Sequence, residues 1–374
     1  MGMDVLREAF DLTVLDCSAW LMPQTADTRD RPAIDDLRVV PIGSLAEFKT
    51  VLAGLGVGIV IDYVGQFSVS SLLMFKELKS RGWKTVVVDS GSFPTPEEWR
   101  QLPVTGNALT YALRSRFVSR ALRALGRRAL LRALPDLSAD LALVAGDSWR
   151  TDARFTKAKR HAPAHSFDYE TFRRVDAKPV GDGAEYAVYI DEMLPFHEDN
   201  RELGYRAPVS MPRFGKALRR FFERFEAAAS MPVRVAGYPS AQKADYDEMV
   251  GDRIVEFGKT AELVRGAQVV FAHASTAISF AVLWRRPIVF LTTPELNNSW
   301  YFPWVKAPRD VLHSILFDME QESLPALDDL FALDMEAYGR YENIYLRASN
   351  APRAGLWEIF SQAVRALGAT SVAC

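Results

Sequence analysis

Short stretches rich in Val, Ile, Leu and aromatic residues recur along the chain, and between them apolar positions return every three or four residues. The first pattern belongs to strands buried on both faces, the second to helices lying on a sheet. In the first half the expected strands are Leu12–Leu15, Val39–Ile42, Gly58–Tyr63, Thr85–Asp89 and Leu141–Ala145, with helices at Leu45–Leu55, Val69–Arg81 and Pro96–Leu102. In the second half strands are expected at Tyr186–Ile190, Val233–Gly237, Ile254–Phe257, Val269–Ala272 and Ile288–Leu291. Their helices fit Pro212–Ala229, Thr260–Gly266 and Thr276–Arg285, and the chain is expected to end in helices that include Met335–Arg347 and Leu356–Leu367. Alternation of this kind predicts an α/β protein of two Rossmann-like, doubly wound domains. Pro179, Gly181 and Gly183 break any regular element, so the seam is expected around 177–185, between a domain at 1–176 and another at 185–374.

One segment departs from this rhythm. From Tyr111 to Leu134 the chain carries Arg114, Arg116, Arg120, Arg123, Arg127, Arg128 and Arg132, with no acid between Glu98 and Asp136. Leu113, Phe117, Ala121, Leu122, Leu125 and Ala129 fall on one helical stripe. A basic amphipathic helix of this kind suits the anionic inner face of a membrane, or simply packs its stripe on its own domain.

Composition narrows the classes without choosing among them. The 374 residues are 49% hydrophobic and 25% charged, with a net charge of -2, so no global field draws the chain to nucleic acid. Its two cysteines, Cys17 and Cys374, form no metal-ligand spacing and suit a reducing compartment. The first ten residues include Asp4, Arg7 and Glu8, unlike a secretory signal, and no apolar run reaches the ~18 residues of a membrane span. A cytoplasmic protein, peripheral at the inner membrane through its arginine helix, is the expectation.

Candidate chemistry gathers at the strand ends of the second half. The strand beginning at Tyr186 delivers Asp191 and Glu192 to its carboxyl end, and Pro195, His197 and Asp199 follow in one loop. Paired carboxylates beside a histidine are the groups that general acid–base or nucleophilic chemistry needs; they also read as solvated loop residues. Next, the strand Val269–Ala272 runs into His273, and Ser275 and Thr276 open an apolar helix, which suits a nucleotide phosphate and equally suits plain N-capping. A third strand ends in Gly237, Tyr238 and Pro239, where small residues would let a ligand approach the backbone. Lys259 and Thr260 then open a helix carrying Glu262. Gly251 stands seven residues before Gly258 rather than five, so no P-loop is present. Softer signals lie in the first half: Asp62 with Tyr63, Asp89 with Ser90, Gly146 to Ser148, and His165 with Asp168 near the seam. Tyr63, Asp89, Ser90, His165 and Asp168 are the acceptor-side candidates. His161 and His313 are assigned to structure, and the histidines and acids form no metal-binding set.

At these residues the chain resembles a family of bacterial surface-polysaccharide glycosyltransferases from O-antigen and capsule loci. The segments that carry the resemblance are Phe10–Ser18, Ala164–Tyr169, Tyr189–His197, Gly258–Val264, His273–Val282 and Tyr338–Tyr345. The resemblance implies the GT-B architecture, with the donor nucleotide held by the second domain. More distantly the layout is similar to bacterial sialyltransferases and to transferases of the acidic sugar Kdo, which use CMP-activated donors, a His-Pro motif and a later serine-rich helix start. Here Tyr238-Pro239 stands in the His-Pro place and Ser275-Thr276 in the serine place. Tyrosine, with an ordinary pKa of ~10, is a poor proton shuttle at neutral pH. Relatives also begin with a strand and a glycine-containing loop for which this chain leaves no room before Asp4.

The resemblance implies a metal-independent transferase without a cofactor, moving a sugar from a nucleotide donor, such as a CMP-activated ulosonic acid, to a surface or lipid-linked glycan. Asp191, with Glu192 and His197, would be catalytic. Gly237, Tyr238, Pro239, Lys259, Thr260, Glu262, His273, Ser275 and Thr276 would bind the donor. A nucleotide-sugar epimerase of similar fold and a non-catalytic scaffold of polysaccharide assembly stay open as alternatives.

Overall fold

The structure is a computed structural model, and it describes residues 3–21, 37–63, 68–96, 136–178, 185–197, 200, 205–367 and 372–373. The arginine-rich segment 111–134 and the expected helix at Pro96–Leu102, from residue 97 on, lie outside the described residues.

In chain order the strands are β1 (Leu12–Asp16), β2 (Arg38–Pro41), β3 (Ile59–Ile61), β4 (Lys84–Val88), β5 (Leu141–Val144) and β6 (His161–Pro163). Then follow β7 (Ala187–Ile190), β8 (Val233–Gly237), β9 (Val255–Phe257), β10 (Val269–Ala272), β11 (Ile288–Thr292), β12 (Ile315–Asp318) and β13 (Val372–Ala373). They form two sheets, ordered β2-β1-β13-β3-β4-β5-β6 and β12-β11-β10-β7-β8-β9, and every pairing is parallel. Parallel strands need crossover connections, which in such folds are usually helices lying on the sheet faces. The chain therefore has the α/β, two-Rossmann organisation expected of it.

The boundary between the halves is not the single seam expected at 177–185. Of the described residues, the first compact unit takes those within Met1–Ser90, Leu102–His165 and Ala348–Cys374, and the second those within Gly91–Gln101 and Ser166–Arg347. Pro179, Gly181 and Gly183 lie outside the described residues. The helix Phe167–Asp176 packs on the helix Ile278–Leu283, with Phe172 and Trp284 in ring contact at 5.0 Å. At the other end the chain does not finish in helices alone. After the helix Leu356–Arg365, β13 enters the first sheet between β1 and β3. A two-residue strand leaves no periodic trace in a sequence.

The second unit is built on β7, β10 and β11, whose residues are all buried. Strands covered on both faces must be apolar throughout, which is what Ala187–Ile190, Val269–Ala272 and Ile288–Thr292 largely are. The long helix Met211–Ala229 starts with Pro212 near its N-terminus and ends at Ser230 in the left-handed conformation. Phe214, Leu218, Phe221, Phe222 and Phe225 recur on one face of it. Phe221 and Phe225 each meet Phe271 of β10 edge-on at 4.9 Å. This packing fixes the helix against the sheet.

Candidate functional site

Renumbered within the second unit, the strand order reads 6-5-4-1-2-3, the order of the dinucleotide-binding Rossmann fold. The order reverses between β7 and β10. Crossovers on either side of that point lie on opposite faces, which opens a crevice at the carboxyl ends of these two strands. Asp191 and Glu192 follow β7, and His273 follows β10, so the strongest sequence candidates converge on this crevice.

The two carboxylates are only 4% and 6% exposed and are braced by neutral donors. Asp191 Oδ2 accepts the Tyr246 hydroxyl at 2.7 Å and the Met193 N–H at 3.1 Å, while Oδ1 accepts from the Tyr189 hydroxyl at 3.3 Å. Met193 makes its bond from a positive φ of 50°, a conformation that non-glycine residues seldom adopt and that backbone strain at working sites often shows. Glu192 reaches across the reversal point, where its Oε1 accepts the Ala274 N–H at 2.6 Å and its Oε2 the Tyr301 hydroxyl. Burial pushes Asp191 up to about 6, with the Tyr246, Met193 and Tyr189 donors pulling against it. Burial, with the Asp191 charge adding to it, pushes Glu192 up to about 7 against the pull of Tyr301 and the Ala274 N–H. Two such groups could hold or release a proton near neutral pH.

His273 is placed differently from a phosphate ligand. It is fully buried, with Nδ1 2.7 Å from the Leu291 carbonyl and Nε2 3.2 Å from the Tyr189 hydroxyl. Burial pushes it down to about 4, so the ring is neutral at pH 7 and its one N–H, on Nδ1, donates to Leu291. Nε2 is then an acceptor. The single Tyr189 proton is contested between Nε2 and Asp191 Oδ1: a protonated Asp191 leaves it with His273, an ionised Asp191 draws it away. His273 is thus linked to Asp191 through the Tyr189 hydroxyl.

The remaining candidates spread along the same sheet edge. Ser275 Oγ accepts the Ala277 N–H at 3.2 Å, so it caps its own turn, and the helix expected from Thr276 begins at Ile278. Thr276 is exposed. Tyr238 follows β8, beside β7, and its N–H donates to Tyr246 Oη at 2.7 Å. Its ring lies 5.2 Å from that of His197. Pro239 is exposed in the turn that follows. Gly237 is needed for packing rather than for ligand approach, because a Cβ there would sit 2.7 Å from the Phe257 ring. Lys259 and Thr260 follow β9, two strand spacings or about 10 Å from β7. Lys259 pairs with Glu256 at 3.1 Å, and Glu262 with Lys178 at 3.6 Å. Both are surface ion pairs of little energetic weight.

The acceptor-side candidates divide. Tyr63 is exposed at the end of β3, and Asp89 is buried after β4, where its Oδ2 accepts the Ala145 N–H at 3.3 Å. Ser90 is exposed beside it. His165 is buried in the first unit with Nε2 3.1 Å from the Ala354 carbonyl. Asp168, expected with this group, lies instead in the second unit, where burial lifts it to about 6 and the Ser279 hydroxyl pulls the other way. Phe167–Asp176 is capped by Ser166 and packs on the Ser279 helix, which carries Asp168 with it. Asp199 and Arg114–Arg132 lie outside the described residues. Among the described residues no helix is long and apolar enough to cross a membrane.

Sequence reasoning missed Tyr189, Tyr246 and Tyr301, whose hydroxyls hold the carboxylates. Tyr189 stands in a strand where an apolar residue would fit equally well, and Tyr246 and Tyr301 fall in irregular segments without a motif. A polar tip in an otherwise apolar buried strand was the one available signal, and it lay at Tyr189.

No protein-family model matches the chain, and no curated protein matches its sequence. Among solved structures, spinosyn forosaminyltransferase SpnP is similar at 12% identity over 88% of this chain and 84% of its own, with a TM-score of 0.42. The UDP co-structure of S. aureus MnaA is similar at 8% identity over 96% of both chains, with a TM-score of 0.45. Acinetobacter baumannii MurG is similar at 9% identity over 88% of this chain and 86% of its own, with a TM-score of 0.42. At such values the likeness assigns no role to any residue of this chain.

Proposed function

We propose that the protein is a glycosyltransferase that takes a nucleotide-activated sugar at the carboxyl ends of β7, β8 and β10 and moves it to a surface or lipid-linked glycan. The observation that carries the reading is the pair Asp191 and Glu192, buried and lifted toward neutral pH, at the point where a Rossmann-ordered sheet reverses. Three segments that resemble surface-polysaccharide transferases, Tyr189–His197, Gly258–Val264 and His273–Val282, also meet along this one sheet edge. In this reading Asp191 takes the acceptor hydroxyl proton, and Tyr189 and His273 position it. Tyr238, Ser275 and Thr276 line the donor, with Lys259, Thr260 and Glu262 further out.

A thermal-shift series with CMP, UDP, GDP and dTDP tests the reading. Ligand present at about a hundredfold excess over its Kd should stabilise the fold by about 2.7 kcal/mol. One nucleotide should stand out, and no shift with any of the four would refute the donor site. A second reading, a nucleotide-sugar epimerase, is favoured by the presence of two buried carboxylates, Asp191 and Glu192, at one crevice, since one group could remove a proton and the other return it. Conversion of a labelled nucleotide sugar in the absence of any acceptor would decide for the epimerase.

A further inference from the structure

Two chains of aromatic side chains lead away from the carboxylates, each joined to one of them by a tyrosine hydroxyl. From Glu192 the chain runs through the Tyr301 hydroxyl to Trp300, which meets the Tyr301 ring edge-on at 5.4 Å, and on to Tyr205, stacked on Trp300 at 4.5 Å and 26°. The Trp300 indole N–H is itself fixed, donating to the Arg206 carbonyl at 2.9 Å. From Asp191 the other chain runs through the Tyr246 hydroxyl to the Tyr238 N–H, and the Tyr238 ring lies against His197 at 5.2 Å. Trp300, Tyr205, Tyr238 and His197 are only partly buried.

The charge balance is equally specific. Among the described residues, the hydrogen-bond partners of both carboxylates are neutral O–H and N–H groups: Tyr189, Tyr246 and Met193 at Asp191, Ala274 and Tyr301 at Glu192. A sugar suits such surroundings if it offers apolar C–H faces to the rings and hydroxyl donors to the acids. A sugar bearing its own carboxylate would bring a third anion into a poorly solvated crevice, where like charges repel far more strongly than in water.

We propose that the sugar bound at this crevice is a neutral, hydroxylated pyranose, set between the Tyr205–Trp300 and His197–Tyr238 pairs and selected against acidic sugars by Asp191 and Glu192. The proposal rests on the donor-site reading above and departs from the acidic donors of the enzymes the sequence distantly resembles.

Calorimetric titration with a matched pair tests it: the glucose and glucuronate esters of whichever nucleotide stabilises the protein. At about pH 8 the neutral ester should bind at least about tenfold more tightly, and the gap should narrow toward about pH 5.5 as the two acids take up protons. Glu192→Gln keeps an acceptor for the Ala274 N–H and removes the charge, so it should bring the pair within about threefold at the higher pH. Trp300→Ala should weaken the neutral ester about tenfold while leaving the bare nucleotide within about twofold. The glucuronate ester binding as tightly as the glucose ester at about pH 8, or a gap that neither acid pH nor Glu192→Gln moves, would overturn the proposal and leave the donor site standing. If none of the four nucleotides binds, the donor site and the sugar preference fall together. The pH series uses the unaltered protein, so it decides the matter even if a variant folds poorly.

Discussion

In the first unit β1 and β3 stand apart with Val372–Ala373 between them, whereas in the second β7 and β10 pair directly. The groups at the two places differ as much as the backbone does. After β1, Asp16 is engaged locally, its Oδ1 accepting the Ser18 N–H at 3.0 Å and the Ser18 hydroxyl at 2.5 Å. Leu15, Cys17, Phe48, Val60 and Met74 line a small, mainly apolar cavity that Asp62 and Tyr63 also border. After β7 the carboxylates are instead knit to Tyr189 of β7 itself and to groups from the segments after β8, β10 and β11. Both the inserted strand and the residues around it make the first place a packed end, where the second is a polar network.

The first unit does contain a buried carboxylate with strong partners, but it stands at the amino ends of the strands. Asp140, just before β5, accepts Lys79 Nζ at 2.6 Å, the Thr85 N–H at 2.9 Å and Lys159 Nζ at 3.1 Å. Burial pushes Asp140 up, and these donors outweigh it and hold the group at about 2. That is the profile of a structural ion pair, fully ionised at working pH. The comparison is sharpest under substitution. Asp191→Asn and Asp140→Asn each place an amide nitrogen among donors and should each cost about 2–4 kcal/mol, seen as a lower urea midpoint. Only Asp191→Asn should also reduce sugar transfer, by about a thousandfold if the group is the general base. Asp140→Asn should leave the nucleotide-induced thermal shift in place. Wild-type turnover by Asp191→Asn would erase the functional half of the contrast.

The units should also part company with pH. Asp191, Asp168 and Glu192 stand at about 6, 6 and 7 when folded, above their ordinary 3.8, 3.8 and 4.5. The folded protein keeps protons there that the unfolded chain has released, so this stabilisation is full below about pH 4 and is lost as pH rises through 6 to 7. His273 works in the opposite sense: folded at about 4 against an ordinary 6.5, it contributes fully above 6.5 and loses that contribution as pH falls toward 4. Three carboxylates outweigh one imidazole. Asp140 adds nothing across this window, since its contribution is lost only as pH falls from 3.8 toward 2. Hydrogen exchange, corrected for intrinsic rates, should therefore show the amides of β7 and β10 losing at least about tenfold in protection between about pH 5 and pH 7.5. Those of β4 and β5 should stay level. Equal slopes in both sheets would mean that the carboxylate network is not what sets the second unit apart.

Much of this was readable from the chain, and for a definite reason. Strands buried on both faces must be apolar throughout, so β7, β8, β10 and β11 announced themselves to within a residue or two at each end. The carboxylates were legible because Asp191 and Glu192 interrupt such a run at its carboxyl end. What stayed hidden depends on contacts distant in sequence. The role of His273 needs Tyr189 and Leu291, the seam needs the packing of Phe167–Asp176 on Ile278–Leu283, and β13 is too short to leave a pattern. β6 and β12 were missed for a related reason. His161-Ala-Pro163 carries a proline suited to an edge strand, and Ile315–Asp318 is only partly buried at the other edge, so neither makes the dense apolar run of a central strand.

Cys17 offers the smallest test, and it probes the packed end directly. The thiol is buried, and burial, with the Asp16 charge adding to it, pushes it up to about 11. Thiolate is the reactive form, so the native protein should label at Cys17 at least about a hundredfold more slowly than the urea-unfolded chain, measured on the isolated peptide by mass spectrometry. Cys17→Ala removes one small buried side chain and should lower stability by about 1 kcal/mol. It should leave the nucleotide-induced thermal shift unchanged, because Cys17 lies in the apolar wall of the first unit and the carboxylates lie in the second. Labelling of the native thiol at the unfolded rate, with nucleotide protecting it, would reverse the comparison and make the end of β1 the ligand-bearing one.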